Sequence, residues 1–188
     1  MSKAREEFIN KYKQDVINAT AGTGILPSVK MAQFLIEAAD NKGNPGKGIT
    51  MVKANNGFGI KADKNYKGRK LAFNTPKDGK PVNYFRVYNN VADSIKDHTN
   101  FLLKNKRYTK HGVFKARNYK EQTQALQNAG YSESPTYNIA LNKIIEAYKL
   151  DKLDKQKPTK STSTSNEKTG LYLLAGLGLA AYIYYNEK

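Results

Sequence analysis

The stretch Pro27 to Asp40, PSVKMAQFLIEAAD, constrains this chain more than any other. Proline suits the first turn of a helix and serine can cap one, so Pro27 and Ser28 read as a helix start. Val29, Met31, Ala32, Phe34, Leu35, Ile36, Ala38 and Ala39 then make most of the circumference apolar. A helix that apolar belongs at the centre of a core. One polar stripe interrupts it: Lys30, Gln33, Glu37 and Asn41 recur at spacings of three and four and share a face. That stripe is expected to be the one wet face, with Glu37 near the helix end. Apolar neighbours raise a carboxyl pKa by desolvating its charged form, and a carboxyl protonated near neutral pH can act as a general acid. The competing reading is an ordinary solvated glutamate on a helix surface.

The 188 residues allow one domain and a tail. Cysteine is absent, which excludes disulfides, thiol nucleophiles and cysteine metal sites. His98 and His111 lack metal-ligand spacing, so neither a metal nor a cofactor is expected. The net charge of +16 fits nucleic acid, an anionic membrane surface, an anionic cell-wall polymer or plain solubility, and by itself does not choose among them.

Around the central helix the pattern is mainly helical. Phe8, Ile9, Tyr12, Val16 and Ala19 predict an amphipathic first helix, charged throughout and without the apolar h-region of a signal peptide. Residues 40–54, DNKGNPGKGITMVKA, read as a loop from their Gly, Asn and Pro content, without P-loop spacing. In Asn55-Asn56-Gly57-Phe58-Gly59-Ile60-Lys61 a tight turn either lays Phe58 at a surface or buries it as an anchor. Leu71 to Phe73 and Val82 to Tyr88 flank Asp78-Gly79 and predict a hairpin. Three later stripes have helical spacing and read as core. They are Val91, Ile95, His98, Leu102; Tyr119, Gln122, Leu126, Ala129; and Tyr137, Leu141, Ile144, Ile145, Tyr148. Nucleic-acid stacking by these aromatics is not expected.

The order ILPSVKMAQFLIEAA, NNGFGIKA, YFRVY with Ser94, and AGYSESPTY resembles glycoside hydrolase family 73, over about Phe8 to Lys149. The resemblance implies an α+β, mainly α, lysozyme-like domain with a small β-hairpin lobe. It implies an endo-β-N-acetylglucosaminidase acting on peptidoglycan glycan strands. Glu37 matches the family's catalytic acid and Tyr131 the tyrosine near the scissile sugar. Gln33, Asn55, Asn56, Phe58, Gly59, Ile60, Lys61, Phe85, Arg86, Tyr88, Pro135 and Tyr137 match its cleft motifs. Two departures stand out. Ala38-Ala39-Asp40 and a longer loop replace the family's Ser-Gly after the glutamate. No glutamate follows Thr75-Pro76, which leaves Asp78, Asp63 or the substrate's own N-acetyl group as the second catalytic group. A non-catalytic wall-binding or nucleic-acid-binding module on the same scaffold is the alternative function.

Residues 1–149 are thus expected to form the domain and 150–168, rich in Lys, Ser and Thr, a linker. Residues 169–186 carry the uncharged run GLYLLAGLGLAAYIYY with tyrosines at both ends, which predicts a transmembrane helix; an amphipathic or core helix is the other reading. Lys152, Lys155, Lys157, Lys160 and Lys168 precede it and only Lys188 follows, which would hold the domain on the cytoplasmic side. An enzyme so placed meets the wall if a bacteriophage carries that membrane in its virion. The expected location is therefore a virion membrane or host inner membrane, with capsid proteins as neighbours.

Overall fold

The computed structural model describes residues 2–73 and 82–159. The first amphipathic helix is α1 (Lys3–Thr20), which buries Phe8, Tyr12, Val16 and Ile17. The apolar stretch forms α2 (Pro27–Glu37), with Pro27 in its first turn. It packs against α1, the later helices α6 (Tyr119–Asn128) and α7 (Tyr137–Tyr148), and a 3-10 helix, Leu150–Lys155. Val29, Met31, Ala32, Phe34, Leu35 and Ala38 are all sealed in the core.

The polar stripe on α2 corrects one expectation. Lys30 and Gln33 are 0% exposed, so the stripe is dry over its first part and opens only at half-buried Glu37 and exposed Asn41. That first part is covered by the Asn55–Lys61 loop and by α4 (Val91–Lys104), which bring Phe58 and His98 over it. The capping of α2 also comes from elsewhere. Leu26 is the N-cap residue and provides no side-chain bond. Asp154 of the 3-10 helix instead accepts hydrogen bonds from the Ser28 backbone N–H and hydroxyl, both at 2.8 Å. A carboxylate at a helix N-terminus satisfies donors that the helix leaves open. The start of the expected linker is therefore part of the fold, with Leu150 and Leu153 buried. Asp154→Ala should lower stability by about 1 kcal/mol. Chemical denaturation reads that change, and an unshifted midpoint would deny the cap.

After α2 the chain turns back on itself. Asp40 accepts from the backbone N–H of Lys42 and Asn44, each at 2.9 Å, and from the Asn44 amide. Gly48 then passes over the helix end, its N–H bonded to the Ala38 carbonyl at 2.9 Å. A Cβ on Gly48 would stand 2.9 Å from the Ala39 carbonyl oxygen, so only glycine makes this approach. The second part of the expected loop is instead a short helix, α3 (Ile49–Ala54), which buries Met51 and Ala54.

The hairpin is present, as β1 (Lys70–Ala72) antiparallel to β2 (Tyr84–Arg86), with Leu71 opposite Phe85. Its expected turn, with Asp78, lies outside the described residues. Residues 60–62 line the other side of β2 through Arg86 N–H to Ile60 O (3.0 Å) and Ala62 N–H to Tyr84 O (2.8 Å). The chain continues through α4, the single turn α5 (Lys106–Lys110) and a 3-10 turn, Val113–Lys115, into α6 and α7. The stripes read as core deliver buried Ile95, His98, Leu102, Gln122, Leu126, Ala129, Tyr137, Leu141 and Ile145.

The expected transmembrane helix is corrected. Among the described residues no helix is long and apolar enough to cross a membrane. The longest, α1, carries charge throughout, and the apolar helices α2 and α7 span only about 16 and 18 Å against a hydrocarbon core of about 30 Å. Residues 169–186 lie outside the described residues. The fold is a mainly helical, lysozyme-like domain with a small hairpin. Membrane anchoring, the virion-membrane or host inner-membrane location and the capsid neighbours all depended on that span and go with it.

Candidate active site

Glu37 closes α2. Its carboxyl is half-buried, and burial pushes its pKa up. Two phenols act in the opposite sense by favouring the carboxylate. The Tyr137 hydroxyl donates to Glu37 Oε1 at 3.3 Å, and the Tyr131 hydroxyl lies against the same carboxyl. The two rings stack, 5.2 Å apart and 20° from parallel. Burial is the larger influence, so the pKa lies above its ordinary value, and the two phenols can donate to the anion when the proton leaves.

These tyrosines arrive by different routes. Tyr137 opens α7, and Tyr131 follows the α6 C-terminus, where Gly130 takes a left-handed turn (φ +66°). Tyr131 N–H bonds the Leu126 carbonyl at 3.0 Å, which fixes the turn. Gln33, one helical turn before Glu37, is fully buried, and its side-chain amide makes no hydrogen bond of good geometry, although it lies against the Tyr137 hydroxyl. A buried amide in that condition is a candidate for a ligand's polar group.

The Asn55–Lys61 loop sits differently from a row of cleft-lining side chains. Asn55, in a left-handed conformation at the end of α3, donates to the carbonyls of Tyr88 and Asn89 at 3.1 and 3.2 Å. Asn56 is fully buried; its amide donates to the Ile60 and Arg86 carbonyls and accepts from Ile60 N–H. Phe58 is the buried anchor of the two readings, stacked between Phe34 and His98. Gly59 supplies a positive φ of +61°, and Lys61 is exposed. Asn55, Asn56 and Phe58 thus hold β2 and the loop to the helical body.

Arg86 ties the hairpin to α4. Its guanidinium meets Asp97 at 2.8 Å and Asp63 at 3.7 Å and stacks over the Tyr66 ring at 4.6 Å. Tyr88 OH donates to the same Asp97 oxygen at 2.6 Å. Asp63, one of the stand-ins for a second catalytic carboxylate, is therefore engaged with Arg86, and Asp78 lies outside the described residues.

Sequence reasoning missed Asp97 and the pairing of Lys30 with His98. The signal for Lys30 was a lysine in the middle of an apolar helix, seven residues before Glu37. For His98 and Asp97 it was an Asp-His pair on a helix whose histidine falls on the apolar stripe.

A carboxyl with its pKa raised by burial, flanked by two phenols at the end of the central helix, marks a lysozyme-like domain with a candidate acid. The family model described as glucosaminidase, mannosyl-glycoprotein endo-β-N-acetylglucosaminidase, matches residues 13–150, and the chain belongs to this family. The resemblance drawn from its motifs thus holds. Exo-glucosaminidase LytG of Bacillus subtilis (strain 168) is 34% identical over 143 residues, covering 72% of this chain and 48% of that protein. Peptidoglycan hydrolase FlgJ of Vibrio parahaemolyticus is 33% identical over 143 residues, covering 70% and 44%. The chain spans about half the length of these curated relatives. Among solved structures, the catalytic domain of the autolysin Auto from Listeria monocytogenes superposes with a TM-score of 0.66 at 26% identity, covering 82% of this chain and 89% of that one. The glycoside hydrolase domain of Salmonella typhimurium FlgJ gives 0.61 at 26%, covering 79% and 89%.

Proposed function

We propose that this chain hydrolyses the β-1,4 glycan of peptidoglycan as an endo-β-N-acetylglucosaminidase, with Glu37 as the general acid. The observation that carries the reading is the Glu37 carboxyl at the end of the central helix, its pKa raised by burial and its oxygens faced by the Tyr137 and Tyr131 hydroxyls. Kinship with exo-glucosaminidase LytG and peptidoglycan hydrolase FlgJ supports it. Glu37 gives its proton to the glycosidic oxygen as the bond to the anomeric carbon breaks. With Asp63 held by Arg86, the substrate's acetamido oxygen attacks that carbon in place of a second carboxylate. Water then opens the cyclic intermediate, and the Glu37 carboxylate takes the water's proton. In this scheme the Tyr131 oxygen accepts the acetamido N–H and turns the carbonyl toward the reacting carbon. Gln33 and Tyr137 line the sugar site, and Arg86 keeps the hairpin lobe in place.

Release of reducing ends from purified peptidoglycan tests the activity. Binding without release would assign the chain to the wall-binding alternative. Tyr131→Phe should lower kcat by roughly 10²-fold, the scale of one transition-state hydrogen bond, and Asp78→Asn should stay near wild type. The opposite ranking would give the second role to Asp78.

A further inference from the structure

Behind Tyr131 lies a second layer of polar groups that the reaction scheme leaves without a task. Lys30 Nζ is 2.6 Å from His98 Nδ1, and His98 Nε2 is 3.0 Å from the Tyr131 hydroxyl. The hydroxyl in turn lies against Glu37. Lys30 is 0% exposed and His98 2%. The imidazole is clamped flat on Phe58, with centroids 4.0 Å apart and planes 6° from parallel, so it cannot rotate away.

We propose that Lys30 and His98 are positioning residues for the acid: they form a directed hydrogen-bond chain, Lys30 to His98 to Tyr131, that aims the Tyr131 proton at Glu37. The proposal rests on the reading of Glu37 as the general acid.

The direction follows from what Tyr131 faces at its other end, the Glu37 carboxyl. The Lys30 amine meets His98 at Nδ1; as an ammonium it can only donate there, and as a neutral amine it can donate or accept. A neutral imidazole that accepts at Nδ1 carries its proton on Nε2 and donates it to the Tyr131 oxygen. The phenol proton is then free to point at Glu37. In the reverse order the Tyr131 proton lies on His98, and phenol lone pairs face the carboxylate left after proton transfer, which repels it. Burial depresses the pKa of both Lys30 and His98, which keeps the imidazole neutral and leaves one nitrogen to accept while the other donates. The buried amine on the apolar helix α2 thus has a use that core packing does not explain.

The test pairs two substitutions with a spectroscopic readout. In the wild-type protein, 15N shifts of the His98 ring should report a single Nε2–H tautomer. Lys30→Met fills the same apolar space without a donor; it should lose the single-tautomer signature and lower kcat on peptidoglycan about tenfold with KM unchanged. His98→Phe keeps a flat ring for Phe58 but no nitrogen, and should show the same kcat loss. The double variant should add little, because both changes break one chain. A folded Lys30→Met protein with wild-type kcat, additive losses in the double variant, or an Nδ1–H tautomer in the wild type would overturn the proposal. Failure of the functional reading looks different: the unmodified protein itself would release no reducing ends, while the tautomer could still be read.

Discussion

Glu37→Gln is expected to reduce glycan hydrolysis by at least ~10²-fold, the usual contribution of a general acid, while the fold persists. Glutamine keeps the volume and the ability to accept from Tyr137, but it cannot deliver a proton. Retention of most activity would refute Glu37 as the acid. The same variant carries a stability signature. The folded-state pKa of Glu37 lies above its ordinary value because burial penalises the charge. The protonated group thus contributes stability that is fully present below the unfolded pKa and lost as pH rises through the folded one. Glutamine does not ionise. The variant should match wild type in acid and exceed it at neutral pH, a difference that thermal melts at two pH values would read. For the same reason, wild-type activity should decline as pH rises through the raised Glu37 pKa.

Phe58→Ala is the second large effect, and it separates the two readings that the sequence left open. An aromatic that only lines a cleft would leave stability near wild type and raise KM. A buried anchor would do the reverse. Phe58 is 7% exposed, its ring stacked 5.0 Å from Phe34 and 4.0 Å from His98. Phe34 itself packs on Phe8 and Tyr12 from α1, so the ring joins three segments. Truncation should cost about 3–5 kcal/mol. It should also free the His98 ring, so that kcat falls in whatever protein remains folded. Denaturant titration with intrinsic fluorescence reads the first effect. A midpoint equal to wild type would return Phe58 to the cleft wall.

Local pattern made the helices legible. The apolar periodicity of α1, α2, α4, α6 and α7 is a property of each segment, so a single pass along the chain finds it. The hairpin was legible for the same reason, from two short apolar runs flanking a turn signal. Family motifs pointed to Glu37, Tyr131 and Tyr137, and the structure brings these together although about 100 residues separate Glu37 from the tyrosines. The anchor at 169–186 was read from composition alone, and no described helix offers the length and apolarity that such a span needs.

What the sequence by itself determined is therefore the helices α1, α2, α4, α6 and α7, the hairpin and the central position of α2. These follow from side-chain periodicity and residue chemistry, which need no partner in space. Only the tertiary structure decided which polar residues are buried and what they meet. Lys30 reads as a surface lysine until α4 lays His98 across it, and Ser28 reads as a cap until Asp154 arrives from the far end of the domain. Asp63 reads as a spare carboxylate until Arg86 claims it. Burial and pairing arise between segments distant in the chain, and the desolvation that raises the Glu37 pKa is itself such a contact property.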